Sequence, residues 1–207
     1  MSDARRTSAP EEMGRQQAKS LRAREAICDA TISCLIDRGY GETTLNRVAK
    51  IAGLSKGAVQ HHYPTKEDLI AATAERLLSR TANEPSDPPD SVEETLRQQW
   101  RRMMNTGPYR ALLEILIAAR TDRELQTRVS DNLLAWGRTH DRQSIERFRS
   151  VGRDDEDVRL LTTLTRSVMR GLVIQDQYVA DPRENLKVLE RWIELVAPLL
   201  ELRRDDT

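Results

Sequence analysis

The chain has few aromatic residues, no long apolar run and only two cysteines. Aromatic residues make up 4% of its 207 residues. Strand-like alternation of apolar and polar residues is hard to find, so we predict an all-helical fold. The most apolar run, ALLEILIAA, is too short to cross a membrane and contains Glu114. The N-terminal residues are polar, which is unlike a secretory signal, and we therefore expect a soluble protein.

Groups that carry catalysis or bind metals are equally scarce. Cys28 and Cys34 lie six residues apart in one predicted helix, a spacing that suits neither a disulfide nor a zinc site. We predict two reduced thiols in a cytoplasmic protein. His61 and His62 are adjacent and point to different sides of a helix, so they cannot share a metal. The sequence has no Gly-rich phosphate loop, and we predict no metal, no cofactor and no enzymatic activity.

The stretch from Thr44 to Lys66 is basic and lacks acidic residues, whereas the whole chain has a formal net charge of zero. It divides into two short helical patterns around Gly53, a residue that can adopt the left-handed conformation of a sharp turn. Ser55 is a good N-cap for the second helix. The pattern predicts a helix-turn-helix, whose second helix enters a DNA major groove.

The residues left on the outside of this motif suit nucleic acid. Ser, Lys and Gln donate hydrogen bonds to phosphates or base edges, and a helix N-terminus offers N–H groups to phosphate. The alternative is a surface helix pair with a solvated basic face. We assign groove reading to Ser55, Lys56, Gly57, Gln60 and His61, with Asn46 and Arg47 from the preceding helix, and phosphate anchoring to Thr44, Tyr63 and Lys66.

Two segments, RGYGETTLNRVAKIAGLSKGAV and HHYPTKEDLI, resemble the DNA-binding domain of TetR/AcrR-type transcriptional regulators. The resemblance covers residues 27–78. The chain departs from the family at Gln60, where a tyrosine is usual, and at Tyr63, where a phenylalanine is usual. The resemblance implies an N-terminal three-helix domain that a fourth helix joins to a C-terminal helical domain for ligand binding and dimerisation. It also implies a homodimer on a palindromic double-stranded DNA operator.

Composition divides the chain into four parts. Residues 1–18 have no apolar period, and we predict a disordered tail that is either solvated or touches a DNA minor groove. Residues 19–83 hold the helix-turn-helix and the connecting helix. Residues 84–90 are a Pro-rich linker that cannot continue a helix. Residues 91–207 are predicted to form five helices.

The last two predicted helices are apolar over a wider arc than one domain needs to bury. Such helices are either central or shared with a second subunit. In the resembled family they pair with their mates to form a four-helix dimer interface. We assign this interface to Leu164, Val168, Leu172, Leu189, Trp192, Ile193, Val196 and Leu200.

Polar residues interrupt several apolar stripes of the C-terminal part. Because buried polar groups need partners, these residues are either satisfied core groups or parts of a ligand pocket with apolar walls. The resembled family commonly binds small molecules in this domain. We predict a pocket formed by Gln99, Trp100, Met103, Met104, Leu113, Arg120, Asn132, Trp136, His140 and Gln175.

The sequence therefore predicts a dimeric DNA-binding regulator. The resemblance implies a repressor that a small-molecule effector releases from its operator. A helix-turn-helix regulator that answers to a protein partner, or to no ligand, is the alternative, and a helical enzyme is the least favoured interpretation. An open cavity in the C-terminal domain favours ligand sensing, and a compact core without polar groups favours the alternative.

Overall fold

The structure, a computed structural model, describes residues 8–81, 89–178 and 181–203. Within these ranges the chain forms nine α-helices and one sheet of two short strands, which confirms the predicted all-helical class. The chain divides into two compact units. The first unit consists of Met1–Arg76 and Glu114–Arg128, and the second of Leu77–Leu113 and Val129–Thr207.

The first unit contains the helix-turn-helix. Its helices are α1 (Ser8–Glu42), α2 (Leu45–Ala52), α3 (Lys56–His62) and most of α4 (Lys66–Thr81). They enclose a core of small and branched side chains, which allows short helices to approach closely. The core residues are Ile27, Cys28, Ala30, Cys34, Val48, Ala49, Val59, Tyr63 and Leu69.

The local signals of the motif act as the sequence predicts. The Thr44 hydroxyl accepts a hydrogen bond from the first turn of α2, and the Ser55 hydroxyl does the same for α3. Gly53 ends α2 in the left-handed conformation at φ 67°. Gly39 has φ 73° and ψ 177°, so the chain leaves helical geometry near the end of α1. The two glycines thus allow the chain to change direction between α1 and α2 and between α2 and α3.

The prediction of a disordered tail over residues 1–18 is wrong for residues 8–18, because α1 begins at Ser8. Those residues lack an apolar period, but Ala, Glu, Gln and Arg are good helix formers and extend a helix that is anchored further on. Residues 1–7 lie outside the described part of the chain, as do residues 82–88, which include most of the predicted linker.

The second unit holds the remaining helices, and α6 and α7 each contribute one end to the first unit. In chain order the elements are α5 (Val92–Gln99), a π-helical turn (Trp100–Met104), α6 (Gly107–Ala119), α7 (Arg123–Arg147), β1 (Phe148–Ser150), α8 (Asp155–Gln175), α9 (Pro182–Val196) and β2 (Leu200–Leu202). The core of the unit includes the fully buried side chains of Leu96, Leu112, Met169, Leu189 and Ile193.

Helix α7 begins in the first unit, where the Asp122 carboxylate caps it by accepting a hydrogen bond from the N–H of Leu125 at 3.0 Å. In the second unit, α9 ends at Val196 and a 3-10 turn that contains Pro198 follows. Proline lacks the N–H that a helix interior needs.

After this turn the chain forms a strand. Strand β2 pairs antiparallel with β1, with Leu202 opposite Phe148 and Leu200 opposite Ser150. The sequence analysis predicted neither strand, because segments of three residues are too short to show a period. In the described ranges no helix combines the length and apolar character needed to span a membrane.

Candidate nucleic-acid interface

Helix α3 presents one polar face to solvent. Val59 is fully buried in the core of the first unit, and Ala58 is half-buried beside it, so these two residues fix the rotation of the helix. The predicted groove-reading residues on the opposite side are all exposed: Ser55, Lys56, Gly57, Gln60 and His61. Within these seven helical residues there is no acidic side chain. The face is therefore suited to a polyanion.

The two cap hydroxyls keep one donor each for phosphate. Thr44 Oγ1 accepts from the N–H of Arg47 at 3.3 Å, and Ser55 Oγ accepts from the N–H of Ala58 at 3.1 Å. A hydroxyl that accepts a hydrogen bond still carries a hydrogen to donate. Both residues are exposed, so each can cap its helix and contact a phosphate at once.

The second helix of the motif contributes Asn46 and Arg47. Asn46 is exposed. Arg47 is half-buried, and its Nη1 donates to the backbone oxygen of Glu42 at 2.6 Å and to the Glu42 carboxylate at 2.8 Å. This hydrogen bond lowers the pKa of the Glu42 carboxyl group. In the free protein Arg47 therefore has a partner that a base or phosphate would need to replace.

The assignment of Tyr63 to phosphate anchoring is wrong. Its side chain is only 4% exposed, and its hydroxyl lies 3.5 Å from the Sγ atom of Cys28. Burial raises the pKa of Tyr63, and the guanidinium group of Arg24 lies 5.6 Å from the ring centroid. Tyr63 is thus a core residue of the first unit, which is the packing role that the resembled family gives to phenylalanine.

Lys66 is half-buried and has a partner within the protein. Its Nζ donates to the backbone oxygen of Tyr40 at 2.7 Å and lies 3.9 Å from the centroid of the Tyr40 ring. Burial lowers the pKa of Lys66. A lysine in the first turn of a helix is unfavourable for the helix dipole, and the Tyr40 carbonyl and ring offset that cost. The phosphate contact of Lys66 stays a prediction.

Tyr40 is the centre of a network that the sequence analysis did not find. Its backbone N–H donates to Glu114 Oε2 at 2.9 Å, and its hydroxyl donates to Asp122 Oδ2 at 3.5 Å. Burial and the Asp122 charge raise the pKa of Tyr40 to about 12. Both partners are more than 70 residues away in sequence, and no local pattern relates them to Tyr40. The network ties residues 114–128 to the end of α1 within the first unit.

A cleft of about 290 Å³ lies in the second unit beside the π-helical turn. Of the predicted pocket residues it contains only Met103. The residues that line it are Leu77, Arg102, Met103, Thr106, Pro108, Tyr109 and Leu112. π-Helical turns often occur at functional sites. They have no clear sequence signal, so the sequence analysis could not use this turn to locate the cleft.

The other predicted pocket residues do not line this cleft. Trp100, Met104 and Leu113 are buried core residues, Gln99 and Asn132 are half-buried, and Arg120 and Gln175 are exposed. The ring of His140 packs on Trp136 with centroids 4.1 Å apart, and its Nδ1 donates to the Trp136 backbone oxygen at 3.1 Å. Asn132, Trp136 and His140 lie four residues apart on one face of α7, but His140 is satisfied within its own helix.

The predicted dimer interface also needs correction. Five of its members have little area left for a partner because they are buried in their own unit: Leu172, Leu189, Ile193, Val196 and Leu200. Val168 and Trp192 are half-buried, and Trp192 Nε1 donates to Thr165 Oγ1 at 3.1 Å. The exposed apolar residues of α8, α9 and the 3-10 turn that follows α9 are Leu160, Leu164, Ile174, Leu186, Val188, Leu195 and Leu199. Leu186 is two residues from Val188 and points to another side of α9, so we call the other six residues the exposed apolar face.

Both cysteines are buried and unpaired. In the ranges that the structure describes, no three His, Cys, Asp or Glu side chains are grouped so that they could hold a metal ion.

Comparisons with known proteins agree with this geometry. Residues 27–73 match the family model described as bacterial regulatory proteins, tetR family. The chain is 26% identical to the HTH-type transcriptional repressor AcnR of Corynebacterium diphtheriae over 178 residues, which cover 84% of this chain and 88% of that protein.

Two solved structures share the fold. A TetR transcription regulator from Haloarcula marismortui is 25% identical, with a TM-score of 0.61 over 87% of this chain and 99% of that one. A transcriptional regulator from Saccharomonospora viridis, solved in complex with choline, is 17% identical, with a TM-score of 0.62 over 88% of this chain and 99% of that one. Residues 27–73 are thus similar to the DNA-binding segment of the tetR family, and the helical fold is the one that solved TetR-family regulators have.

Proposed function

We propose that this chain is a dimeric repressor that binds a palindromic DNA operator and leaves it when a small molecule binds the second unit. The observation that carries the DNA-binding part is the exposed, acid-free face of α3, which Val59 holds in place from within the core. Repression is supported by the similarity to the repressor AcnR. A regulator of this kind acts where the chromosome is, so we propose a cytoplasmic location.

Dimerisation is supported by the exposed apolar face on α8 and α9. Val188 and Leu195 lie at helical spacing on α9, and Leu160 and Leu164 do so on α8. Leu199 follows in the 3-10 turn after α9. Leaving such side chains in water is unfavourable at roughly 25 cal/mol for each Å² of apolar surface. We propose that a two-fold axis relates the two copies and that their α3 helices occupy half-sites about one DNA turn apart.

Effector binding is supported by the cleft beside the π-helical turn and by the choline complex of the similar regulator from Saccharomonospora viridis. A regulator that answers only to a protein partner has no need of an apolar cleft in this unit. The effector would favour a conformation in which the two copies of α3 no longer fit adjacent half-sites.

The test is a DNA-binding measurement with α3 variants. An operator is first selected from a pool of random duplexes and its affinity is measured by fluorescence anisotropy at several salt concentrations. Lys56→Ala should weaken binding to all duplexes about equally and reduce the salt slope by roughly one. Gln60→Ala should instead change the discrimination between operator and random DNA, because amides read base edges.

Lys187→Ala serves as the matched control, since Lys187 is exposed on α9 and pairs with Glu184 at 2.7 Å. It should leave affinity and salt slope unchanged. Equal effects of Lys56→Ala and Lys187→Ala would show that general charge, and not the α3 face, governs binding. Failure to enrich any duplex would overturn the proposed function itself.

A further inference from the structure

We infer that the cleft beside the π-helical turn takes an amphipathic organic anion, a molecule with an apolar body and one carboxylate at its end. The inference rests on the ligand-responsive function proposed above. The walls of the cleft are mainly apolar, with contributions from Leu77, Met103 and Leu112. Such walls bind hydrocarbon and leave the few polar groups to set orientation and specificity.

Two of the polar side chains in the cleft are already satisfied by the protein. Thr106 Oγ1 donates to the backbone oxygen of Met103 at 2.9 Å and accepts from the N–H of Tyr109 at 3.3 Å. The Tyr109 hydroxyl accepts from Nε of Arg170 at 3.2 Å. These groups stabilise the start of α6 and the wall of the cleft, so they offer little to a charged ligand.

Arg102 differs from the arginines around it. Arg97 pairs with Glu190 at 2.8 Å, Arg101 pairs with Glu94, and Arg110 pairs with Asp176 at 3.0 Å. Arg102 is exposed, and in the described part of the chain its guanidinium group has no hydrogen-bond or ion-pair partner. It nevertheless lines the cleft. Arg102 is therefore the one cation in the lining, and within the described residues no carboxylate pairs with it.

This arrangement selects the sign of the ligand charge. A guanidinium group offers planar paired donors that match a carboxylate, and the pair is strengthened beside an apolar wall. None of the residues that line the cleft is acidic, so an organic cation would meet a like charge without compensation. The ligand class thus differs from choline, which the similar regulator from Saccharomonospora viridis binds.

The size of the cleft bounds the size of the ligand. A volume of about 290 Å³ corresponds to about ten non-hydrogen atoms when one water-sized volume is about 30 Å³. Octanoate has that number of non-hydrogen atoms and combines a flexible apolar chain with one carboxylate. It is therefore a suitable probe, together with octylammonium and 1-octanol, which share its chain and differ in charge.

The experiment measures binding of the three probes to the full chain by isothermal titration calorimetry. Octanoate should bind at least tenfold more tightly than 1-octanol, and octylammonium should bind more weakly than either. Arg102→Gln should reduce octanoate affinity about tenfold and change 1-octanol affinity less than twofold. Arg101→Gln is the matched control, because Arg101 is the exposed neighbour that pairs with Glu94, and it should keep the wild-type preference.

Three results would overturn the inference: no binding of any probe, equal affinities for the three probes, or the same loss of octanoate affinity in Arg101→Gln and Arg102→Gln. A parallel anisotropy measurement with operator DNA separates this inference from the proposed function. Octanoate that binds through Arg102 without weakening DNA binding would confirm the ligand class and overturn effector release.

Discussion

At the scale of single residues, burial changes the role that a side chain can have. Tyr63 and His140 were both assigned to binding sites from the sequence. In the structure Tyr63 lies in the core of the first unit and His140 is buried against Trp136. A buried polar group must find its partner inside the protein, and each of these does.

We expect Tyr63→Phe to leave DNA affinity within twofold of wild type, since the hydroxyl faces Cys28 Sγ and not solvent. The loss of this contact should cost about 1 kcal/mol or less of the free energy of unfolding. Anisotropy with operator DNA and chemical denaturation measure the two effects. A tenfold loss of DNA affinity with unchanged stability would restore the phosphate role of the hydroxyl.

His140 should make stability depend on pH. Burial lowers its pKa, with a contribution from Arg166, whereas the hydrogen bond to Trp136 and the Asp141 charge oppose the shift. The folded protein therefore keeps His140 neutral at a pH where the unfolded chain, with a pKa of about 6.5, takes up a proton. This contribution to stability is present above about pH 6.5 and is lost as the pH falls towards the folded pKa.

His140→Gln removes this titration and keeps a donor for the Trp136 carbonyl. We expect the fall in unfolding free energy between pH 7 and 5 to become less steep, by at most about 1.4 kcal/mol per pH unit. Urea denaturation at a series of pH values measures the slope. Parallel profiles for wild type and variant would contradict the prediction.

At the scale of elements, the connection between α1 and α2 depends on a glycine that the sequence marks and on a contact that it does not. Gly39 has φ 73° and ψ 177°, a region that is essentially restricted to glycine. A Cβ atom at this position would lie 2.9 Å from Oε2 of Glu114. That same oxygen accepts the hydrogen bond from the Tyr40 N–H.

We expect Gly39→Ala to destabilise the protein by about 1–3 kcal/mol through backbone strain, with a further loss if Glu114 moves away from Tyr40. Gly41→Ala is the matched control. Gly41 has no positive φ, and no atom lies within 4 Å of a Cβ atom added there. The unfolding free energy of the Gly41→Ala variant should stay within about 0.5 kcal/mol of wild type. Equal melting temperatures for the two variants would show that the connection tolerates a side chain at Gly39.

At the scale of the whole molecule, the exposed apolar face on α8 and α9 offers the most direct test of assembly. Leu164 is 52% exposed and Leu195 is 54% exposed. Their neighbours on the inner stripe of α9 are almost fully buried. One helix thus presents an apolar side to its own core and a second apolar side to solvent, and the second side is available to another copy of the chain.

We expect Leu195→Glu to convert the proposed dimer to a monomer, because a charge would be buried without a partner at the interface. Operator affinity should fall as well, since the two copies of α3 would no longer be linked. Leu134→Glu is the matched control, since Leu134 is 59% exposed but lies on α7. It should remain dimeric. Light scattering and anisotropy measure the outcome, and a folded Leu195→Glu dimer would contradict the proposed interface.

The sequence by itself determined the helices, their caps and the turn glycines. Thr65 and Asp68, three residues apart, form a capping box, with the Asp68 N–H donating to the Thr65 hydroxyl at 3.0 Å and the Thr65 N–H to the Asp68 carboxylate at 3.2 Å. Such features involve residues three or four apart, so the chain specifies them before it folds. The exposure of Lys56 and Gln60 could be predicted from the sequence for the same reason, because the helical period of α3 determines which of its residues face solvent.

Only the tertiary structure decided which of two apolar stripes faces the core of the second unit, because both stripes of the last helix satisfy the helical period equally well. It also decided that Tyr63 is internal and that Tyr40 binds Glu114 across 74 residues of sequence. Pairings of this kind depend on where distant helices meet, and hydrophobic periodicity contains no information about that position. The sequence therefore located the surface that we propose binds DNA, whereas the cleft and the exposed apolar face became visible only when the helices were packed.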